Sequence, residues 1–131
     1  MHRRIAPTTI APPAANYAHA VVTEGGASTR WLHTSGVVPI APDGTVPAGI
    51  AEQATVVWAN LGAILADADM TADDVVSVTT YVVADRLGDL GAVMAARDQA
   101  LGGRLIASTL VTVPALARAE WLMEIALVAA H

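Results

Sequence analysis

Hydrophobic and polar positions change period several times along the chain, and each change marks an element. Between Ala48 and Ala68, the residues Ile50, Ala54, Val57, Leu61 and Ile64 or Leu65 recur at helical spacing, with Glu52, Gln53 and Asn60 mostly off that stripe. This spacing predicts a helix of several turns with one face packed. From Val75 to Val83 the period falls to two: Val76, Val78 and Val82 share one side and Ser77, Thr79 and Tyr81 the other, as in a half-buried strand. Earlier, runs at 18–23 and 29–34 read as strands joined by Glu24-Gly25-Gly26-Ala27-Ser28, whose Gly-Gly step marks a hairpin loop. Pro42-Asp43-Gly44-Thr45 reads as a turn, its Asp-Gly step tolerating positive φ. Met70 to Asp74 is a second turn. A second helix is expected from Asp85 to about Leu101, capped by Asp85 and closed at Gly102-Gly103. Two final strands, 106–113 and 120–129, flank Pro114 to Arg118.

The predicted order is β-β-α-β-α-β-β, an α+β fold in which two amphipathic helices lie on one face of a single mixed sheet. Residues 1–16 form an extended lead-in, rich in Pro, Ala and Thr from residue 5. At 131 residues the whole chain, 1–131, is expected to be one domain. Along the last strand Trp121, Met123, Ile125 and Leu127 line one side and Leu122, Ala126 and Val128 the other. A strand apolar on both sides needs cover on both: helices on one, a second copy of the chain on the other. Composition points the same way, since 54% of residues are apolar, a high share for one small globule, although much of it is Ala.

Charge narrows the function classes. The net charge is −5, and all seven cations are Arg, scattered singly apart from Arg3-Arg4. A nucleic-acid surface needs clustered cations to displace counterions, so no nucleic-acid partner is expected. The absence of Lys removes Schiff-base chemistry, and the absence of Cys removes thiol nucleophiles, disulfides and thiolate metal sites. The start Met1-His2-Arg3-Arg4 resembles a signal-peptide n-region, but Pro7, Pro12 and Pro13 interrupt the residues after it and no apolar stretch succeeds them. No membrane span is expected, and the simple reading is a cytoplasmic protein.

Into the doubly apolar last strand the sequence places one charge, Glu124. A carboxylate flanked by Leu122 and Ala126 is costly to desolvate. It pairs with a cation, accepts several hydrogen bonds, rides at a raised pKa suited to a general acid or base, or reaches solvent at an edge or interface seam. Tyr17, between lead-in and first strand, is placed either to hydrogen-bond a ligand at a cleft or to pack with a wet hydroxyl. Thr34-Ser35-Gly36 lacks nucleophile-elbow spacing, but its hydroxyls and N–H groups suit the wall of a pocket for a small anion. His19 and His33 have no companions at metal-ligand spacing, so both are read as structural, with no metal expected. Arg97 with Asp98, and Arg118 with Glu120, are read as surface pairs.

Taken in order, Tyr17, Thr34-Ser35-Gly36-Val37-Val38-Pro39, Asp43-Gly44, Gln53-Ala54, Asn60-Leu61, Asp74-Val75-Val76, Thr80-Tyr81-Val82, Asp89-Leu90 and Glu124-Ile125 resemble the RidA/YjgF family, also called the L-PSP endoribonuclease family. The resemblance spans nearly the whole chain. It implies a chorismate-mutase-like subunit in a homotrimer, with ligand clefts between subunits. It further implies cofactor-free hydrolysis of enamine or imine intermediates, such as 2-iminobutanoate, to 2-keto acids and ammonia. Carried over, the water-positioning Glu falls on Glu124 and the cleft-closing Tyr on Tyr17. The position of the family's carboxylate-gripping Arg falls on Ser108, or on Thr109 if no insertion is counted after Pro114. The nearby Cys becomes Leu110, and an Asn of the second helix becomes Met94.

The candidate site is thus Glu124 as the catalytic group, with Tyr17, Ser35, Gly36, Ser108 and Thr109 as substrate-binding residues. Two functions stay open: an imine hydrolase whose substrate is neutral or held by another cation such as Arg104, and a non-catalytic ligand-binding or regulatory trimer. A nuclease is disfavoured by the acidity and by the scattered Arg.

Overall fold

A computed structural model describes residues 2–14, 16–25 and 28–131. Six strands, β1 (His2–Ile5), β2 (Ala20–Glu24), β3 (Arg30–Thr34), β4 (Val75–Val83), β5 (Ala107–Val113) and β6 (Met123–Ala130), form one sheet in the order β1-β2-β3-β6-β4-β5. Two helices, α1 (Ile50–Asp67) and α2 (Leu90–Ala100), pack together over one face of it. The α+β class with one mixed sheet is as the periodicity predicts.

The last strand in sequence lies inside the sheet. β6 runs antiparallel to both β3 and β4, while β4 and β5 are parallel across the α2 crossover. Its sides differ: Met123, Ile125, Leu127 and Ala129 are at most 2% exposed beneath the helices, whereas Glu124, Ala126 and Val128 are half-buried on the open face; Trp121 and Leu122, expected within this strand, precede it. Ile50, Ala54, Val57, Leu61 and Ile64 of α1 join this core as their spacing predicts. Each fully buried Leu, Ile or Val contributes roughly 1.5–3 kcal/mol through area removed from water.

Four local readings are corrected. The lead-in contains β1, which pairs Arg4 with Val21 and Ile5 with Ala20 and exposes His2, Arg3 and Arg4 while burying Ile5. A strand with three polar, exposed side chains carries no apolar alternation to read. The segment from Asp85 is not continuous α-helix: Ala84–Asp89 is a 3₁₀ stretch kinked at Arg86, and Asp85 does not cap α2. Val76 does not share a side with Val78, because a bulge between Val75 and Ser77 turns it outward. Gln53 and Asn60 are buried, at 0% and 5% exposure. The closing glycines behave as expected, with Gly102 and Gly103 at φ of 61° and 76°. Gly26 and Ala27 of the predicted hairpin loop lie outside the described residues.

Candidate functional site

A cleft of about 350 Å³ opens at the β6 end of the 35–38 segment, walled by Tyr17, Ser35, Gly36, Val38, Trp121 and Glu124, with Arg118 at its side. Its size falls at the lower end of the ~300–1,000 Å³ typical of small-molecule sites. Local pairing creates it. After β3 the chain leaves β6 at His33–Val128 and returns at Val37–Ile125, so residues 34–36 face only 126–127. The Thr34 hydroxyl accepts the Leu127 N–H at 2.9 Å across this irregularity. Val37 exchanges both backbone bonds with Ile125, at 2.7 and 3.1 Å, which sets Gly36 beside the open face of β6.

Glu124 occupies that place. A Cβ built on Gly36 would stand 3.0 Å from the Glu124 Cδ and 3.1 Å from each carboxylate oxygen, so glycine is what admits the carboxylate there. Among the described residues the Glu124 carboxylate has neither hydrogen-bond nor ion-pair partner, and the one influence that shifts its pKa is burial. Burial pushes its carboxyl above the usual glutamate range. Of the states open to Glu124 from sequence, cation pairing and several hydrogen bonds are absent among the described residues, and the carboxylate sits half-buried at the cleft.

The lead-in is held across the cleft by three bonds. The Ser35 hydroxyl donates to Ala18 O at 2.7 Å, the Ser35 N–H donates to His19 O at 2.8 Å, and His19 Nε2 meets Ala11 O at 3.0 Å. His19 is thus structural, while Ser35 spends its proton tethering the segment that carries Tyr17. The Tyr17 hydroxyl accepts the Ala14 N–H at 3.2 Å, leaving its own proton free, and the residue is 38% exposed.

Two buried amides of α1, read from sequence as lying off the packed stripe, hold the other walls. Asn60 Nδ2 donates to Ile40 O at 2.9 Å. Gln53 Nε2 donates to Pro47 O at 2.7 Å and to Glu120 O at 2.8 Å, and Gln53 Oε1 accepts the Leu122 N–H at 2.9 Å. Gln53 therefore grips the chain on both sides of Trp121. Sequence periodicity could not reveal this, because the partners are backbone groups of distant segments. The Gln53-Ala54 and Asn60-Leu61 pairs of the family resemblance were the available signal.

Ser108 and Thr109 lie apart from this cleft within the single chain. β5 is separated from β6 by β4, and in the parallel register Ser108 is level with Val78 and Thr109 with Thr79. Val78 is buried beneath the helices, so Ser108 turns to the helix side, where its hydroxyl accepts from Arg97 at 3.2 Å. Thr109 shares the open face with Tyr81 and, through the Tyr81–Glu124 pairing, with Glu124. Arg104 is engaged with Asp73 and the Ala72 carbonyl. Arg118 forms no surface pair with Glu120. Its guanidinium lies over the Trp121 ring, 5.0 Å from the centroid. Among the described residues no group of three or more His, Asp or Glu is placed to hold a metal ion, and no helix is long and apolar enough to cross a membrane.

The chain is a small α+β domain whose mixed sheet places β6 between β3 and β4 and whose cleft sets the Glu124 carboxylate against Gly36. The chain belongs to the endoribonuclease L-PSP family, whose profile matches residues 8–131. Solved structures of similar fold include the YjgF gene product of Escherichia coli, 27% identical over 97% of both chains with a TM-score of 0.82. YyfA of Yersinia pestis, described as a Rid-family protein of unknown function, is 26% identical over 98% of both chains with a TM-score of 0.86. Escherichia coli TdcF, solved with bound serine, is 20% identical over 98% of both chains with a TM-score of 0.84 and shares the fold. Among curated protein sequences none matches significantly.

Proposed function

We propose that this chain is an imine or enamine hydrolase that releases a carbonyl compound and ammonia, and that it works as a homotrimer with its clefts at subunit seams. The observation carrying the reading is the unpaired Glu124 carboxylate, seated on Gly36 in a small cleft and raised in pKa by burial. An unpaired carboxylate with raised pKa is a better base than a solvated one, and a larger fraction of it carries a proton as neutral pH is approached, so the same group can take a proton and later donate one. In the proposed reaction Glu124 takes a proton from water as the water oxygen bonds to the imine carbon. The nitrogen gains a proton and becomes an amine. The hydroxyl proton then passes by way of Glu124 to the amine nitrogen, the C–N bond breaks, and ammonia departs as the carbonyl forms. Imine plus water thus gives carbonyl compound plus ammonia, with no oxidant, reductant or cofactor required. The apolar cleft walls limit competing water, and the free Tyr17 proton is available to the substrate.

A second reading, a ligand-binding or regulatory trimer without turnover, is favoured by the hydroxyl residues Ser108 and Thr109 at the aligned position of the family's Arg. The nuclease activity in the family's name is not proposed: the chain is acidic, and Arg3, Arg30, Arg86, Arg97 and Arg104 are committed to backbone carbonyls or carboxylates. The test is ammonia release from imines generated in situ by an amino-acid oxidase. Wild type should exceed the spontaneous rate, and Glu124→Gln should lose about 10²–10⁴-fold of the enzymatic rate. A wild type no faster than water for any imine, charged or neutral, overturns the hydrolase reading in favour of the binding one.

A further inference from the structure

The cleft holds a second unpaired charge. Arg118 makes no ion pair or hydrogen bond to any described residue through its side chain, its one specific contact being the Trp121 ring at 5.0 Å. The Trp121 N–H donates to Arg118 O at 3.1 Å, so the turn 118–121 folds the guanidinium back over the indole. The indole is a fixed platform: Trp121 is 5% exposed, and Gln53 clamps the residues before and after it. Stacking occupies the face of a guanidinium and leaves its in-plane N–H donors free, the arrangement that suits bidentate capture of a carboxylate.

The remaining cations do not compete. Arg104 and Arg97 are tied to acidic side chains elsewhere, and Arg4 lies on β1, separated from β6 by two strands. Arg118 and Glu124 line one cleft without forming a salt bridge, so each charge is left to meet a separate part of a ligand. A single cation facing a nearby carboxylate matches a monoanion and disfavours a dianion such as a phosphate ester.

We propose that Arg118, presented on Trp121, is the specificity-determining residue of this cleft: it binds the carboxylate of the substrate and so selects imines of 2-amino acids over uncharged imines. The assignment rests on the cleft at Glu124 being the ligand site and deepens the hydrolase reading.

The experiment compares two imines: one from an amino-acid oxidase acting on 2-aminobutanoate, the other, lacking the carboxylate, from an amine oxidase acting on butylamine. Wild type should favour the first. Arg118→Gln should cut kcat/KM for the imino acid by about 10- to 100-fold, mainly through KM, and collapse the ratio between the two substrates. Arg118→Lys should restore part of that ratio. A ratio unmoved by Arg118→Gln in a hydrolytically active, folded protein overturns the Arg118 assignment while leaving the hydrolase reading intact. Binding of 2-oxobutanoate and of 2-butanone, followed by calorimetry, separates the other case. If wild type shows no turnover yet binds 2-oxobutanoate in preference to 2-butanone, and Arg118→Gln abolishes the preference, Arg118 stands and the hydrolase reading falls. If neither compound binds and no imine is turned over, both fall.

Discussion

Glu124 shows how one side chain links stability to chemistry. Its folded-state pKa lies above its ordinary value of 4.5 because burial disfavours the ionised form. A carboxyl raised in this way favours the fold most when protonated, and that contribution is lost as pH rises through the folded pKa. Glu124→Gln, a neutral isostere, is therefore expected to raise the unfolding midpoint slightly at pH 7. The difference should shrink as pH falls through the folded-state pKa and be gone below the ordinary value of 4.5, which thermal melts from about pH 7 to about pH 4 would measure. Gly36→Ala tests the same contact from the other side. Gly36 is not among the positive-φ glycines, and the atoms its Cβ would meet end a flexible side chain, so the fold should survive with little change in midpoint. The carboxylate would be displaced, and Glu124-dependent turnover should fall by one to two orders of magnitude. The presence of a charge at Glu124 was legible in the sequence as the one acidic break in an apolar strand. Its lack of a partner was not, since pairing depends on which cations other segments bring near.

At the scale of elements, α1 does more than bury its stripe. Gln53 satisfies two carbonyls and one N–H from segments on either side of Trp121 and at Pro47, and Asn60 holds the 38–40 segment opposite. Gln53→Leu leaves three partly buried backbone groups without their partner and should destabilise the fold by about 1–3 kcal/mol, read from denaturant unfolding. It should also loosen the Arg118 platform. The helix and β4 were legible because their periods, 3.6 and 2, come from apolar side chains seeking one core. β1 was not: its exposed His2, Arg3 and Arg4 are held by backbone pairing to β2, which leaves no mark on side-chain pattern. The kink at Arg86 likewise replaced a predicted continuous helix with a 3₁₀ entry. Arg118 was paired with Glu120 on grounds of proximity in sequence, whereas the 118–121 turn places it over Trp121.

For the whole molecule, the open face of the sheet presents Trp31, Val76 and Val111 at 43, 43 and 38% exposure beside half-buried Ala126 and Val128. Burying this face against further copies of the chain would remove it from water, in keeping with the proposed trimer. Val111→Asp, on edge strand β5 and level with Tyr81, is expected to shift sedimenting species toward the monomer and to reduce cleft-dependent activity with it. A wild type that sediments as a monomer at all concentrations would rule the trimer out. By itself the sequence determined the fold class, the helix stripe, the β4 alternation and the isolated charge of β6, because each arises from local periodicity and the cost of burying polar groups. Only the tertiary structure decided that β6 lies between β3 and β4, that Gly36 receives the Glu124 carboxylate, and that Trp121 carries Arg118. Those relations join residues far apart in sequence or fixed by a single turn, and only packing brings them into contact.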